Sequence, residues 1–258
     1  MTAVERDAIL EIEALSKHFG GLEALKTVDL TLAGRGIFGL IGPNGSGKTT
    51  LFNTVTGATP TSGGLVRYCG RDITGWPPHR VAHQGIARTF QNLKIFARLT
   101  VADNVAGAQT ARPDVRPWQH FLPNAGERSR RARVKALLEL VGLADRRNTL
   151  AGELPLGEQR RLELARALAR EPDLLLLDEP AGGMTPQETD GMAQLIQRVA
   201  ETGPTVLLIE HKMGMVMSLC RRITVLNFGR KIAEGTPAAI QSDARVREAY
   251  LGSGGGHA

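Results

Sequence analysis

Along the chain, short apolar runs alternate with stretches whose apolar residues recur at three- and four-residue spacing. Residues 9–14, 37–41, 174–177, 206–209 and 223–227 are of the first kind. Several of them carry no polar alternation, which is what a strand needs when a packed layer covers each of its faces. Helical spacing follows over residues 48–56, 130–141, 159–170, 188–202 and 213–220. That order predicts an α/β fold, a mostly parallel sheet wrapped by helices. Between about residues 92 and 170 the strand pattern stops and charged and helix-forming residues take over, with Pro113, Pro117 and Pro123 marking a break. The expected organisation is therefore a core built from 1–91 and 171–251, a helical insertion over 92–170, and a glycine-rich flexible tail at 252–258. No internal repeat interrupts it.

Composition narrows the class. The chain has 258 residues, 42% hydrophobic against 22% charged, enough apolar material to bury a core and far from the regime of disorder. Its longest purely aliphatic runs, 174–177 and 206–209, fall well short of the roughly 20 residues that cross a bilayer, so no membrane span is expected. The opening MTAVERDAILEIE lacks a basic start followed by an apolar stretch, so no secretory leader is read there. Two cysteines, Cys69 and Cys220, make neither a disulfide framework nor a metal-ligand spacing, and are expected as semi-buried thiols in a reducing compartment. Against 26 Asp+Glu stand 32 Lys+Arg, a net charge of +6. The basic residues are scattered, and the densest run, Arg128 to Arg133, reads as the solvated face of a helix. Seven Phe, two Trp and two Tyr leave little for base stacking. The charge therefore suits an anionic ligand or an anionic membrane surface, and no nucleic-acid partner is expected.

Two segments carry chemistry. Gly42-Pro43-Asn44-Gly45-Ser46-Gly47-Lys48-Thr49-Thr50 follows an apolar run and precedes a helical one, and fits G-x-x-x-x-G-K-[ST] in that context. Glycines at a strand-to-helix turn let backbone N–H groups approach a phosphate without Cβ clashes, Lys48 adds a point charge for the β and γ oxygens, and Thr49 offers a small hydroxyl to Mg2+. The second segment is Leu174-Leu175-Leu176-Leu177-Asp178-Glu179-Pro180, a buried strand delivering two carboxylates at its carboxyl end, where open α/β sheets bind ligands. Asp178 would hold the metal, directly or through water. Glu179, on the other side of the strand, would polarise an attacking water.

With these two segments in place, the chain resembles the ATP-binding subunits of ABC transporters over about residues 9 to 251. Gln91 in Arg88-Thr89-Phe90-Gln91-Asn92 looks like the glutamine of the family's Q-loop, and His211 after Leu208-Ile209-Glu210 looks like its switch histidine. Leu154-Pro155-Leu156-Gly157-Glu158 stands at the signature position. The resemblance implies a P-loop NTPase core of ABC type, RecA-like, with an antiparallel β subdomain and an inserted α-helical subdomain. It implies ATP and Mg2+ as ligands, with Phe19 stacked on adenine, Gln91 beside Thr49 and Asp178 at the metal, and His211 on the γ-phosphate holding Glu179. It also implies a second ATPase subunit, identical or related, packed head to tail so that the signature of one closes over the phosphate loop of the other.

Departures from the family pattern stand at Pro155, Leu156 and Glu158, where serine, glycine and glutamine are usual, and at Thr185, where an acid or its amide is usual. Pro155 brings neither a hydroxyl nor a backbone donor. Further stretches, including His18-Phe19-Gly20-Gly21-Leu22 and Val246-Arg247-Glu248-Ala249-Tyr250-Leu251-Gly252, are similar to the ATPases of branched-chain amino acid importers. That implies permease subunits, indirectly a solute-binding protein, and a peripheral place on the cytoplasmic face of the membrane. Residues 92–102, with Leu93, Lys94, Ile95, Phe96 and Arg98, would then receive a cytoplasmic helix of the permease. An ATPase of a lipid or lipopolysaccharide exporter, a soluble ABC ATPase outside transport and a nucleotide-dependent module that does not hydrolyse stay open as alternatives.

Overall fold

The structure is a computed structural model, and it describes residues 8–109 and 125–251. The predicted break at Pro113, Pro117 and Pro123 and the tail at 252–258 lie outside the described residues. Strands β1 (Ala8–Phe19) and β2 (Leu22–Ala33) form a long hairpin, and β3 (Ile37–Ile41) leads through a glycine-rich loop into α1 (Lys48–Val55). Strands β4 (Gly63–Tyr68) and β5 (Arg71–Asp72), then α2 (Pro78–His83) and β6 (Ile86–Arg88), complete the first part. The helices α3 (Val101–Ala108), α4 (Ala125–Leu140) and α5 (Leu156–Leu168) follow, with two short 3-10 turns and no named strand among the described residues between β6 and β7 (Leu174–Asp178). The chain ends with α6 (Pro186–Glu201), β8 (Thr205–Ile209), α7 (Met213–Leu219), β9 (Arg222–Asn227), β10 (Arg230–Gly235), α8 (Pro237–Ser242) and α9 (Ala244–Leu251).

Two sheets result. A six-stranded sheet has the order β10-β9-β3-β8-β7-β6, parallel throughout except for the β9–β10 hairpin at its edge. A four-stranded antiparallel sheet has the order β2-β1-β4-β5. In the first sheet every residue of β3, β7 and β8 is buried. Alternate residues serve two different cores. Ile37, Ile41, Leu175, Leu177, Val206 and Leu208 pack with Val105, Leu138, Leu162 and Ile196 from the helices. Phe38, Leu40, Leu174, Leu176, Leu207 and Ile209 pack with Phe52 of α1 and with Leu10, Ile12, Leu30 and Val66 of the antiparallel sheet. The absence of polar alternation in the three strands has this cause.

Several details depart from the sequence reading. The predicted strand at 9–14 runs on to Phe19, because β1 is bent rather than broken: Ala14 sits at φ 47° and its N–H donates to Asp29 Oδ1 at 2.7 Å. The helix expected from residue 130 already begins at Ala125, and the one expected from 159 begins at Leu156. The two cysteines are not alike: Cys69 is exposed in the turn after β4, whereas Cys220 is buried. Residues 128–131 of α4 are exposed, as a solvated basic face requires.

Candidate active site

The carboxyl ends of β3, β7 and β8 lie side by side, and each releases a loop that carries polar side chains. After β3, Gly42 adopts φ 150°, and a Cβ there would stand 2.0 Å from the Leu226 carbonyl oxygen. Only glycine lets the chain turn so close beneath β9. Gly47, at φ 105°, caps α1, and the Lys48 ammonium folds back to donate to the Gly42 oxygen at 2.7 Å and the Pro43 oxygen at 2.9 Å. Burial pulls the Lys48 pKa down, while the carboxylates of Glu179 and Asp178 pull it up. The lysine thus feels two acids from the end of β7, with β8 between that strand and its own, while its charge is lodged against loop carbonyls.

Asp178 ends β7 at 2% exposure. Its Oδ2 accepts from Arg88 Nη2 at 2.7 Å, its N–H donates to Thr89 Oγ1 at 3.2 Å, and its Oδ1 is buried with no hydrogen-bond partner among the described residues. Glu179 then turns into the left-handed region at φ 49°, held by its N–H on the Ile209 oxygen at 2.9 Å. That turn brings the Glu179 carboxylate between two side chains. Gln91 Nε2 donates to Oε2 at 3.1 Å, and His211 Nε2 lies 2.8 Å from Oε1. A non-glycine residue in this conformation costs about 1–3 kcal/mol, so the surroundings must impose it.

The surroundings are identifiable. Glu210, 2% exposed, accepts from the Ala181 N–H at 3.0 Å with one oxygen and from the N–H groups of His211 and Lys212 at 2.8 and 3.1 Å with the other. It ties the loop after β7 to the loop after β8. Lys212 adds a second tie, donating to the Met184 oxygen at 2.9 Å and Thr189 Oγ1 at 2.6 Å. On the other flank, α5 grips the segment around Gln91: Arg160 donates to the Phe90 oxygen at 3.2 Å, the Phe90 N–H donates to Glu163 at 3.2 Å, and Arg166 donates to the Lys94 oxygen. Burial pushes the Glu163 carboxyl up.

A cleft of about 520 Å3 gathers residues 44–50 with Phe19, Gln91, Glu179 and His211. Gly42 and Pro43 do not line it but accept from the Lys48 ammonium, and Asp178 is buried one residue before Glu179. The 49% exposed Phe19 ring stands at the rim, with Lys17 Nζ 4.8 Å from its centroid. Leu154, Pro155, Leu156, Gly157 and Glu158 do not line this cleft; they form the entry to α5. Pro155 is the N-cap there and supplies no side-chain hydrogen bond. The donor set suits a hydrated divalent cation bound together with a phosphate: Asp178 Oδ1 is an orphaned buried acceptor, and Thr49 is an exposed hydroxyl residue on the cleft wall. No group of three or more His, Cys, Asp or Glu among the described residues could hold a metal ion, so phosphate and water oxygens would complete the shell.

Sequence reasoning passed over Arg88, Asn53, Glu210, Lys212 and the α5 residues Arg160, Glu163 and Arg166. For Arg88 the signal was present, a charged residue closing an otherwise apolar strand. Thr185 stands out in the sequence as a departure from the family pattern, but its T-x-x-E spacing also signals a cap: Thr185 caps α6 and forms a reciprocal capping box with Glu188.

Residues 25–182 match the family model described as ABC transporter, and residues 230–255 match that described as branched-chain amino acid ATP-binding cassette transporter. The chain is 43% identical over 249 residues to the high-affinity branched-chain amino acid transport ATP-binding protein BraF of Pseudomonas aeruginosa, covering 95% of this chain and 98% of that protein. To LivG of Escherichia coli (strain K12), a protein of the same description, it is 39% identical over 251 residues with the same coverage. The lipopolysaccharide export system ATP-binding protein LptB of Escherichia coli (strain K12) is 35% identical over 245 residues, again covering 95% and 98%. Among solved structures, an ATP-binding cassette of an ABC transporter in its ADP conformation superposes with a TM-score of 0.82 at 31% identity, covering 95% of this chain and 99% of the other.

Proposed function

The chain belongs to the ABC transporter family as an ATP-binding subunit, and from that premise we propose that it hydrolyses ATP to power an importer of branched-chain or related amino acids. The observation that carries the ATPase reading is the Glu179 carboxylate, fixed by Gln91 and His211 at the mouth of the phosphate loop. Residues 42–50 hold the phosphates, and Lys48 leaves its loop carbonyls for the β and γ oxygens. Mg2+, when bound with the nucleotide, supplies positive charge to those oxygens. Thr49, Gln91 and Asp178 are the residues that would hold it. Glu179 accepts a proton from the attacking water as that water's oxygen bonds to the γ-phosphorus and the bond to the β–γ bridging oxygen breaks, releasing ADP and phosphate, and His211 keeps the carboxylate aimed and meets the γ-phosphate. Phe19 stacks on the adenine.

The segment 154–158 stands outside its own chain's cleft, which supports the reading that it closes over the phosphates of a second ATPase subunit. Gly157 and the start of α5 offer backbone donors there, although Pro155 withholds a hydroxyl. Residues 92–170 act as a helical subdomain inserted into the core of 1–91 and 171–251. A groove of about 390 Å3 between the two, with Phe90, Lys94 and Phe96 on its wall, suits a helix from a permease. No helix among the described residues is long and apolar enough to cross a membrane, which fits a peripheral subunit on the cytoplasmic face. The match over 230–255 and the higher identity to BraF than to LptB favour import of amino acids over lipopolysaccharide export. A solute-binding protein would deliver the amino acid.

Purification of the tagged chain from its native membrane in mild detergent, with ATP and Mg2+, tests this reading. Multi-span permeases with an amino-acid-dependent ATPase activity are expected. Recovery with an exporter assembly, or with soluble partners alone while permease controls survive the detergent, would overturn the importer assignment.

A further inference from the structure

Arg88 closes β6 three residues before Gln91, and its side chain is only 8% exposed. A guanidinium buried to this degree persists only where its charge is paired and its terminal nitrogens find acceptors; here the two Nη atoms do, while Nε has no hydrogen-bond partner among the described residues. Nη2 donates to Asp178 Oδ2 at 2.7 Å, and Nη1 donates to Asn53 Oδ1 at 2.6 Å. The rings of Phe52 and Phe90 flank the group, with centroids 5.5 and 5.2 Å from its central carbon. Asn53 lies on α1, the helix that starts with Lys48 and Thr49. One planar cation therefore spans the phosphate-loop helix, the strand running into Gln91 and the acid at the end of β7.

The consequence falls on Asp178. Its Oδ2 is occupied, its own N–H is held by Thr89, and only Oδ1 is left without a partner among the described residues. We infer that Arg88 is a positioning residue for Asp178: it fixes the plane of the carboxylate and reserves Oδ1 for the cation that accompanies the nucleotide. A lysine carries the same charge but no fork, so it cannot reach Asn53 and Asp178 at once and cannot set that plane. The inference rests on the nucleotide reading of the cleft.

The test compares the full-length wild-type chain with Arg88→Lys, which conserves the charge, and Asn53→Ala, which frees only one arm of the fork. ADP is titrated in EDTA, and Mg2+ is then titrated at saturating ADP. Groups that orient a metal ligand change metal affinity by about 10–100-fold when lost. Arg88→Lys is expected to weaken Mg2+ about tenfold, and Asn53→Ala by a smaller factor, with ADP affinity in EDTA within about twofold of wild type. An unchanged Mg2+ midpoint in Arg88→Lys overturns the proposal. So does an equal loss of ADP affinity with and without Mg2+, because that pattern belongs to a distorted phosphate loop. A wild-type chain that binds no ADP defeats the nucleotide reading itself and takes this proposal with it.

Discussion

Glu179 occupies a backbone region that residues with a Cβ avoid, and it does so at the point where the candidate site needs a carboxylate to swing away from the strand. Glutamine keeps the shape and can still meet Gln91 and His211, but it cannot take a proton. Glu179→Gln is therefore expected to retain nucleotide binding while phosphate release falls by about 10²–10⁴-fold, the range assigned to a general base. Turnover at the wild-type rate would remove Glu179 from that role. The two thiols give a second prediction at this scale. Burial pushes Cys220 up to about 12 and pushes Cys69 up as well, so both thiols are largely protonated near neutrality and Cys220 is also out of reach. Maleimide at pH 8 should modify the native chain at Cys69 alone, and at Cys220 only after denaturant, as peptide mass would show. At this scale the sequence exposed residues 42–50 and 178–179 because their chemistry demands fixed local spacing. Arg88 stayed hidden because its meaning depends on a partner far along the chain, Asp178 across 90 positions, and Glu210 because its tie to Ala181 joins two loops that only the fold brings together.

Among the elements, those with a continuous pattern were legible and those with short or broken patterns were not. β3, β7 and β8 announce themselves because both of their faces are covered. β2 and β4 escaped notice because only one face packs and because glycine opens β4. The three residues of β6 are too few to show any period. The entries to α5 and α6 contrast in a testable way. Thr185 caps α6 by side chain and backbone together, and its hydrogen bonds hold the Glu188 carboxyl below its ordinary range. Thr185→Ala should cost about 1 kcal/mol, and lower Tm by about 2–4 °C in a thermal scan. Pro155 offers α5 no such bond, and Pro155→Ser would add one while releasing a stiff residue, two effects of about 1 kcal/mol with opposite sign. Its stability should stay near wild type, and its ATPase activity with the native partners should hold or rise. A large fall in activity would identify the proline as a working part of the segment.

For the molecule as a whole, the candidate seat for a permease and the candidate nucleotide cleft share the short stretch from Arg88 to Gln91: Arg88 and Phe90 line the first, and Gln91 lines the second. Phe96, 55% exposed, lines the groove and is not among the residues that line the cleft. Phe96→Asp should abolish recovery of the permeases while nucleotide affinity of the free chain stays within about twofold, a separation that pull-down and titration would read directly. The strand order carries one more consequence, for biogenesis. β3 lies between β8 and β9, both made from the last quarter of the sequence, so the strand that bears the phosphate loop has no hydrogen-bonded neighbour when it leaves the ribosome. At about 5–20 residues per second, roughly ten to thirty seconds pass before either arrives. During that interval an apolar five-residue strand waits with both edges open. The nascent chain thus needs shielding over that stretch, and a chain cut short before β8 keeps both edges of β3 open and is expected to aggregate.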